Sequence, residues 1–419
     1  MHRSRDLDRT KKRRMVWIAV LFHFLPLVLS GCWDSVDLER RATILAMAID
    51  EVPLEEMKEE ERVSFIEPKE IPTMKKRLMK VTVQIAIPGR IPLGPGGGEG
   101  SVGGSGKKTV WVLRVIAHSL VDAMDSLQQQ LSQEIFLGYL RVIIISEEFA
   151  RKGVEDIRDY LKRTPLIRRN AWLIISKGEA SPILEAEPAL ERVPAIYILS
   201  TLDRAITTGK LPPIYSGIFF STVESKGKEG VLPYVELKKK KGNISLEGLA
   251  IFRMEKMVGK TLPLEIGLFM EVEGINPAGY DMLVPIGQDK IVALKATYRV
   301  SKIEVKEEGG EVKALVKIYV ETDFSGKQDP SIIIDSSSEL EKIAREGERE
   351  LTRGHLKLLQ KTKRLRSDIY GIGEHVRAKL PDYWRKKVKT KKRWEEIYAK
   401  MPIRISVHAA IRKTGMQAR

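Results

Sequence analysis

Residues 134–178 read EIFLGYLRVIIISEEFARKGVEDIRDYLKRTPLIRRNAWLIISKG. Two short apolar runs stand out, 140–146 (LRVIIIS) and 171–176 (AWLIIS). Neither alternates apolar with polar residues, so both read as buried strands. Between them, 154–161 reads as a helix that stops before Pro165, because proline has no amide to continue the ladder. Strand, helix and strand in succession point to an α/β or α+β domain.

The flanking sequence extends the pattern. Upstream, 41–50 (RATILAMAID), 80–87 (KVTVQIAI) and 109–116 read as strands, the second ended by Pro88-Gly89. Leu120, Met124, Leu127 and Leu131 recur at helical spacing within 119–131. The stretch 51–80, rich in Glu and Lys with Pro53, Pro68 and Pro72, reads as an exposed excursion. Eight glycines in 94–106 mark a flexible loop. A phosphate cradle would need a Gly-Lys-Ser/Thr ending and a helix, and Lys107-Lys108 lead into a strand instead.

Downstream, 187–209 is helical at its centre. The prolines at 212, 213 and 233 and the lysine run 238–241 suggest an inter-domain connection over 210–244. A second domain then opens with a strand at 245–254 and a short helix at 264–270. Two long alternating runs, 291–306 and 311–322, flank Gly309-Gly310 as a hairpin. Leu340, Ile343, Leu351, His355, Leu358, Leu359 and Leu365 place one long amphipathic helix over 338–367. A helical stretch broken at Pro381 covers 373–398, and 403–411 is a closing strand. The expected class is α+β, multi-domain, with mixed sheets flanked by helices. The expected organisation is a leader (1–31), an N-terminal domain (32–209), a connection (210–244) and a C-terminal domain (245–419).

A chain of 419 residues with 43 % apolar and 31 % charged residues has the composition of a globular protein. Its net charge of +16 favours an anionic partner or surface. The charge is unevenly placed: 351–419 holds 20 basic and 5 acidic residues, and 1–31 holds 7 basic and 2 acidic. The remainder is slightly acidic.

The first residues form a leader. Seven arginines and lysines precede the apolar run 15–29 (MVWIAVLFHFLPLVL), whose 15 residues suit a signal peptide and fall short of the roughly 20 a spanning helix needs. Leu29-Ser30-Gly31-Cys32 follows, and has the form of a lipobox. A thiol is the side chain able to form a thioether with a diacylglyceryl group, and small residues before it let the chain enter a peptidase groove. Cleavage between Gly31 and Cys32 would leave Cys32 as an N-terminus carrying S-diacylglycerol and N-palmitoyl chains. At about 0.8 kcal/mol per buried methylene, these would anchor the protein stably. Cys32 is the sole cysteine, so no disulfide within the chain is possible.

Recognisable catalytic chemistry is missing. His118, His355, His375 and His408 are isolated, with no HExxH pattern, and there is no GxSxG. Adjacent carboxylates such as Glu147-Glu148 and Glu395-Glu396 read as solvated faces. No enzyme activity, metal or cofactor is expected.

Cys32-Trp33-Asp34, followed by Asp37-Leu38, resembles the start of mature Ger(x)C spore germination lipoproteins. The stretches 134–178 and 246–259 also resemble that family. So do 367–396, with Asp368-Ile369-Tyr370-Gly371-Ile372-Gly373-Glu374, Trp384 and Trp394, and the closing Ile411-Arg412-Lys413-Thr414-Gly415. The excursion 51–80 is longer than the family pattern, and His375-Val376 stands where an aromatic-containing pair is expected. The resemblance implies the C subunit of a nutrient germinant receptor, lipid-anchored at the outer face of the spore inner membrane. Its implied partners are an A-type and a B-type membrane subunit.

An alternative is a solute-binding lipoprotein of a transporter, which would need two similar lobes where these halves differ. An envelope hydrolase would need a nucleophile, metal or triad signature. Neighbouring genes for A- and B-type subunits, or for a permease and ATPase, separate the first two readings. The export signal removes nucleic acid as a partner for the basic C-terminal segment. Arg385, Lys386, Lys387, Lys391 and Lys392 are therefore candidate contacts to an anionic membrane or a partner subunit, lying between Trp384 and Trp394, which are expected to pack in the fold.

Overall fold

The computed structural model describes residues 40–52, 77–88, 109–188, 191–238, 242–287, 290–328, 332 and 336–413, with Met15 and Trp17. Gly31, Cys32, the glycine-rich loop 94–106 and most of the excursion 51–80 lie outside the described residues.

The apolar runs at 142–146 and 172–176 are central strands of the larger sheet. It contains β1 (Arg41–Val52), β2 (Leu78–Ala86), β3 (Val110–Ala117), β4 (Glu134–Phe136), β5 (Val142–Ser146) and β6 (Trp172–Ser176). β7 (Val231–Lys238), β8 (Asn243–Arg253) and β9 (Lys256–Lys260) complete it. The order is β3-β2-β1-β5-β6-β7-β8-β9, with β4 alongside β1. β1, β5, β6 and β7 run parallel, and the flanking pairs are antiparallel.

Alternation explains why β5 and β6 are apolar up to their terminal Ser146 and Ser176. Ile143, Ile145, Leu173 and Ile175 enter one core with α1 (Leu120–Gln128), α2 (Glu147–Lys152) and α3 (Glu155–Arg163). Val142, Ile144, Trp172 and Ile174 enter another with α4 (Ser181–Glu185) and α5 (Pro194–Thr207). A strand buried on both faces takes a polar side chain only where it finds a partner, as Ser146 does by capping α2 and Ser176 by donating to Glu179 O.

The stretch 210–244 differs from expectation. It carries α6 (Ser216–Glu224) and β7, and both belong to the body of the large sheet. β8, expected to open a second domain, pairs with β7 along its length. The prolines misled because they sit where they do little harm. Pro212 and Pro213 precede α6, and β6 pairs only with Tyr234 and Val235, leaving Pro233 beyond that ladder.

The second sheet has the order β10-β11-β12-β13: β10 (Asp281–Gly287), β11 (Lys290–Glu308), β12 (Glu311–Lys327) and β13 (Ile403–Lys413). β11 and β12 form the expected hairpin, with Gly309 and Gly310 at positive φ in the turn. Val312, Ala314, Val316, Ile318 and Val320 line its buried face. α7 (Glu265–Val272) and α8 (Ser337–Leu365) cover that face. Ser336 caps α8, its hydroxyl accepting from Glu339 N. α8 buries Ile343, Leu351, His355, Leu358 and Leu359. Arg299 of β11 is buried as well, donating to the carbonyls of Gly267, Ile275 and Pro277 around α7. One apolar core runs without interruption from β5 and β6 to β12 and α8, so the two halves share their interior.

Candidate functional site at the junction of the two halves

Residues 366–400 join the second half to the first sheet. After α8 the chain turns through Arg366 at φ 54°, and the Ser367 hydroxyl donates to Phe252 O of β8 at 2.5 Å. Asp368 is fully buried. Its carboxylate accepts from Ile372 N (3.2 Å), Gly373 N (2.8 Å) and Trp394 Nε1 (3.0 Å). It thereby ties the start of α9 (Ile372–Lys379) to α11 (Lys391–Lys400). Burial pushes its pKa up to about 6, outweighing the three donors that favour the charged form.

The glycines of Tyr370-Gly371-Ile372-Gly373 serve this geometry. Gly371 adopts φ 69°. A Cβ on Gly373 would lie 2.4 Å from Trp394 Nε1 and 2.7 Å from Gly227 Cα. Glu374 accepts from Gly227 N at 2.7 Å, so the loop before β7 lies directly on α9. The Asp-Ile-Tyr-Gly-Ile-Gly-Glu motif is a clasp between the halves.

Pro381 then restarts the chain as the single turn α10 (Pro381–Tyr383), followed by a π-helical turn, Trp384–Val388. Lys389 leaves at φ 63°, and Thr390 caps α11. This doubling back places the Trp384 and Trp394 rings 5.7 Å apart, both buried.

Lys391 points inward from α11. Its ammonium donates to Val223 O (2.8 Å) and Lys228 O (2.9 Å), and lies 3.1 Å from Glu229 Oε2. All three of its protons are thus accounted for. Glu229 is 2 % exposed and also accepts from Met254 N at 2.8 Å. Burial raises its pKa to about 7, although Lys391 pulls the other way. Glu395, on the same helix as Lys391, is buried with Arg253 3.8 Å away. Neither Glu229 Oε1 nor Glu395 Oε1 has a hydrogen-bond partner among the described residues.

The basic cluster thus divides. Arg385, Lys386, Lys387, Lys389 and Lys392 are exposed, and Arg385 pairs with Asp382. Lys386, Lys387, Lys389 and Lys392 have no ion pair within 4 Å among the described residues. Lys391 is not available to a membrane or partner, because Glu229 and two carbonyls hold it inside the fold. In the sequence it was indistinguishable from its neighbours. Glu229, in the stretch Lys226-Gly227-Lys228-Glu229-Gly230, lies within the region read as a connection, and nothing local signals its burial.

The histidines take structural places. His355 is buried, with Nε2 2.8 Å from Glu271 of α7. His408 pairs with Glu348 at 2.8 Å. His375 is half-buried, and burial lowers its pKa. Among the described residues no group of three His, Cys, Asp or Glu could hold a metal ion. No helix among them is long and apolar enough to cross a membrane.

Both halves match known families in order. Residues 34–237 match the spore germination protein N-terminal domain, and 247–415 match the spore germination B3/GerAC-like C-terminal domain. The boundary between the two falls in the β7–β8 hairpin. The chain is 24 % identical over 422 residues to the putative spore germination protein YfkR of Bacillus subtilis (strain 168), covering 96 % of this chain and 98 % of the relative. It is 22 % identical over 429 residues to spore germination protein KC of the same organism, covering 96 % and 97 %. The crystal structure of the GerBC protein shares the fold, with a TM-score of 0.53 at 19 % identity over 80 % of this chain and 94 % of that one. Matched from residue 34 to residue 415 with one short gap, the chain belongs to the GerAC-like, or Ger(x)C, family of spore germination proteins.

Proposed function

We propose that this chain is the lipid-anchored C subunit of a nutrient germinant receptor, held at the outer face of the spore inner membrane through acylated Cys32. It acts there with A-type and B-type membrane subunits. One observation carries the reading: the family match begins at Asp34, two residues beyond Cys32. The family domain therefore starts where a lipoprotein leader would be removed. The role is one of assembly and signalling, without catalysis. The cleft between β10 and the start of α8, about 570 Å³, takes its polar lining from exposed or half-exposed charged residues such as Lys342, Arg345 and Arg349. It lacks the buried convergent polar groups of a nutrient pocket, which supports placing nutrient specificity in the membrane subunits.

Metabolic labelling with a palmitate analogue tests the anchor. Wild-type protein should label and Cys32→Ala should not; equal labelling defeats the proposal. Co-purification from spore inner membrane should recover A- and B-type subunits, whereas a permease and ATPase would favour the transporter reading.

The exposed part of the basic segment is the proposed contact with anionic lipid or an acidic partner surface. Each lysine near such a surface contributes about 1 kcal/mol, fading within about 8 Å at physiological salt. Replacing Lys386, Lys387, Lys389 and Lys392 by Glu should abolish salt-sensitive co-sedimentation with anionic liposomes. Binding that persists unchanged in this variant excludes the segment as the contact.

A further inference from the structure

The Glu229–Lys391 pair lies where the C-terminal segment meets the first sheet, and the contacts there unite distant parts of the chain. Glu229 N donates to Asp368 O at 2.8 Å, beside the clasp. Its carboxylate meets Lys391 of α11 and the turn between β8 and β9 at Met254. The charged groups facing it come from every element packed there. Lys391 and Glu395 face it from α11, while Arg253 of β8 stands against Glu395, and Glu255, in the turn after β8, is coupled to Lys391. Arg158 of α3 pairs with Glu255, and Lys228 and Glu224 lie on its own side of the junction. Arg366 and Glu396 face Glu395 from behind.

Two carboxylates here are buried with an oxygen unpartnered, and one ammonium stands against Glu229. An unmet carboxylate oxygen in a dry site is costly when charged and is relieved by a proton. We infer that the junction is a proton-operated latch: protonated Glu229 holds α11 and the basic turn before it against the first sheet, and loss of the proton loosens them. The balance of charges has the same sense. Ionised Glu229 gains Lys391 but faces Glu395, and its Oε1 receives no donor. Burial raises the pKa values of Glu229, Glu395 and Glu255 together, so the closed junction takes up protons that an open one releases. If the exposed lysines meet a membrane or partner, as proposed above, the latch governs how they are presented. The latch itself does not depend on that reading and is tested without lipid or partner.

The test is hydrogen–deuterium exchange of the whole chain in detergent between pH 6 and 8, each rate normalised to its intrinsic value. With a folded pKa of about 7 against 4.5 when released, protection of 391–400 should fall about tenfold over this range. Protection of 142–146, which is lost only when the whole fold opens, should stay well above that of 391–400 at every pH. Glu229→Gln should hold the segment closed and flatten its profile. Should that variant misfold, Glu395→Gln provides the second arm: removing the facing charge should move the midpoint below that of the wild type, toward an ordinary carboxylate, and an unmoved midpoint overturns the latch. Flat protection of 391–400 in the wild type overturns the latch. Protection of 391–400 as high as that of 142–146 throughout does so too, because the segment would then open only with the whole fold.

Discussion

Gly373 is where Trp394 leaves no room for a side chain. Its Cβ would need to displace the indole and the Gly227 backbone together. Overpacking of this kind costs about 1–3 kcal/mol. Gly373→Ala should therefore lower the unfolding free energy by that amount, whereas Gly326→Ala, with nothing within 4 Å of its Cβ, should change it by less than about 0.5 kcal/mol. The same scale separates two lysines five positions apart. At pH 8, where Glu229 is ionised, Lys391→Met strips a buried carboxylate of its counter-charge and should cost about 3 kcal/mol. Lys386→Met, at an exposed site without an ion pair, should cost less than about 0.5 kcal/mol. Urea unfolding of the four variants checks both contrasts.

At the scale of elements, α8 holds the second half together. Leu358 is fully buried against the shared core, while Leu356, two residues earlier, is 41 % exposed. Leu358→Ala should destabilise by about 2–5 kcal/mol through lost contact and the cavity left behind. Leu356→Ala should cost under about 1 kcal/mol, and thermal melts of both variants test whether burial decides the difference. The buried His355–Glu271 pair fixes α8 against α7 at the same level. The segment after α8 shows why element boundaries matter more than helix content. Pro381, the π-helical turn and left-handed Lys389 fold one charged stretch back on itself, so both tryptophans reach one packing site.

At the scale of the whole molecule, pH acts through the buried carboxylates of the junction. The pKa of Glu229 rises from 4.5 to about 7 on folding, and that of Asp368 from 3.8 to about 6. A carboxylate whose folded pKa is raised stabilises fully below its unfolded value and loses that contribution as pH climbs through the folded one. These two groups should make the protein more stable at pH 5 than at pH 8, with the decline centred between about 4 and 7. Melting temperatures across that range check the sign. Carboxylates with lowered values, such as Glu236 at about 2, act in the opposite sense, with their loss confined below about pH 4.5.

Periodicity and punctuation made most elements legible. The buried strands 142–146 and 172–176, the hairpin at Gly309-Gly310 and the helix before residue 366 all announce themselves within a dozen or so residues, because side-chain burial repeats with local geometry. The proposed lipobox ending at Cys32 is likewise a local signal, one that a processing enzyme rather than a fold would read. What the sequence could not determine is which side chains meet across distance. It did not reveal that β8, at the start of the C-terminal family domain, pairs into the first sheet, because a strand's pattern reports how it is buried and not which sheet it joins. It counted Lys391 among surface cations and passed over Glu229 within the supposed connection, because a separation of 162 positions conceals that they touch. Only the tertiary structure brings them together, since burial of a charge depends on the partner folded against it and not on its neighbours in the chain.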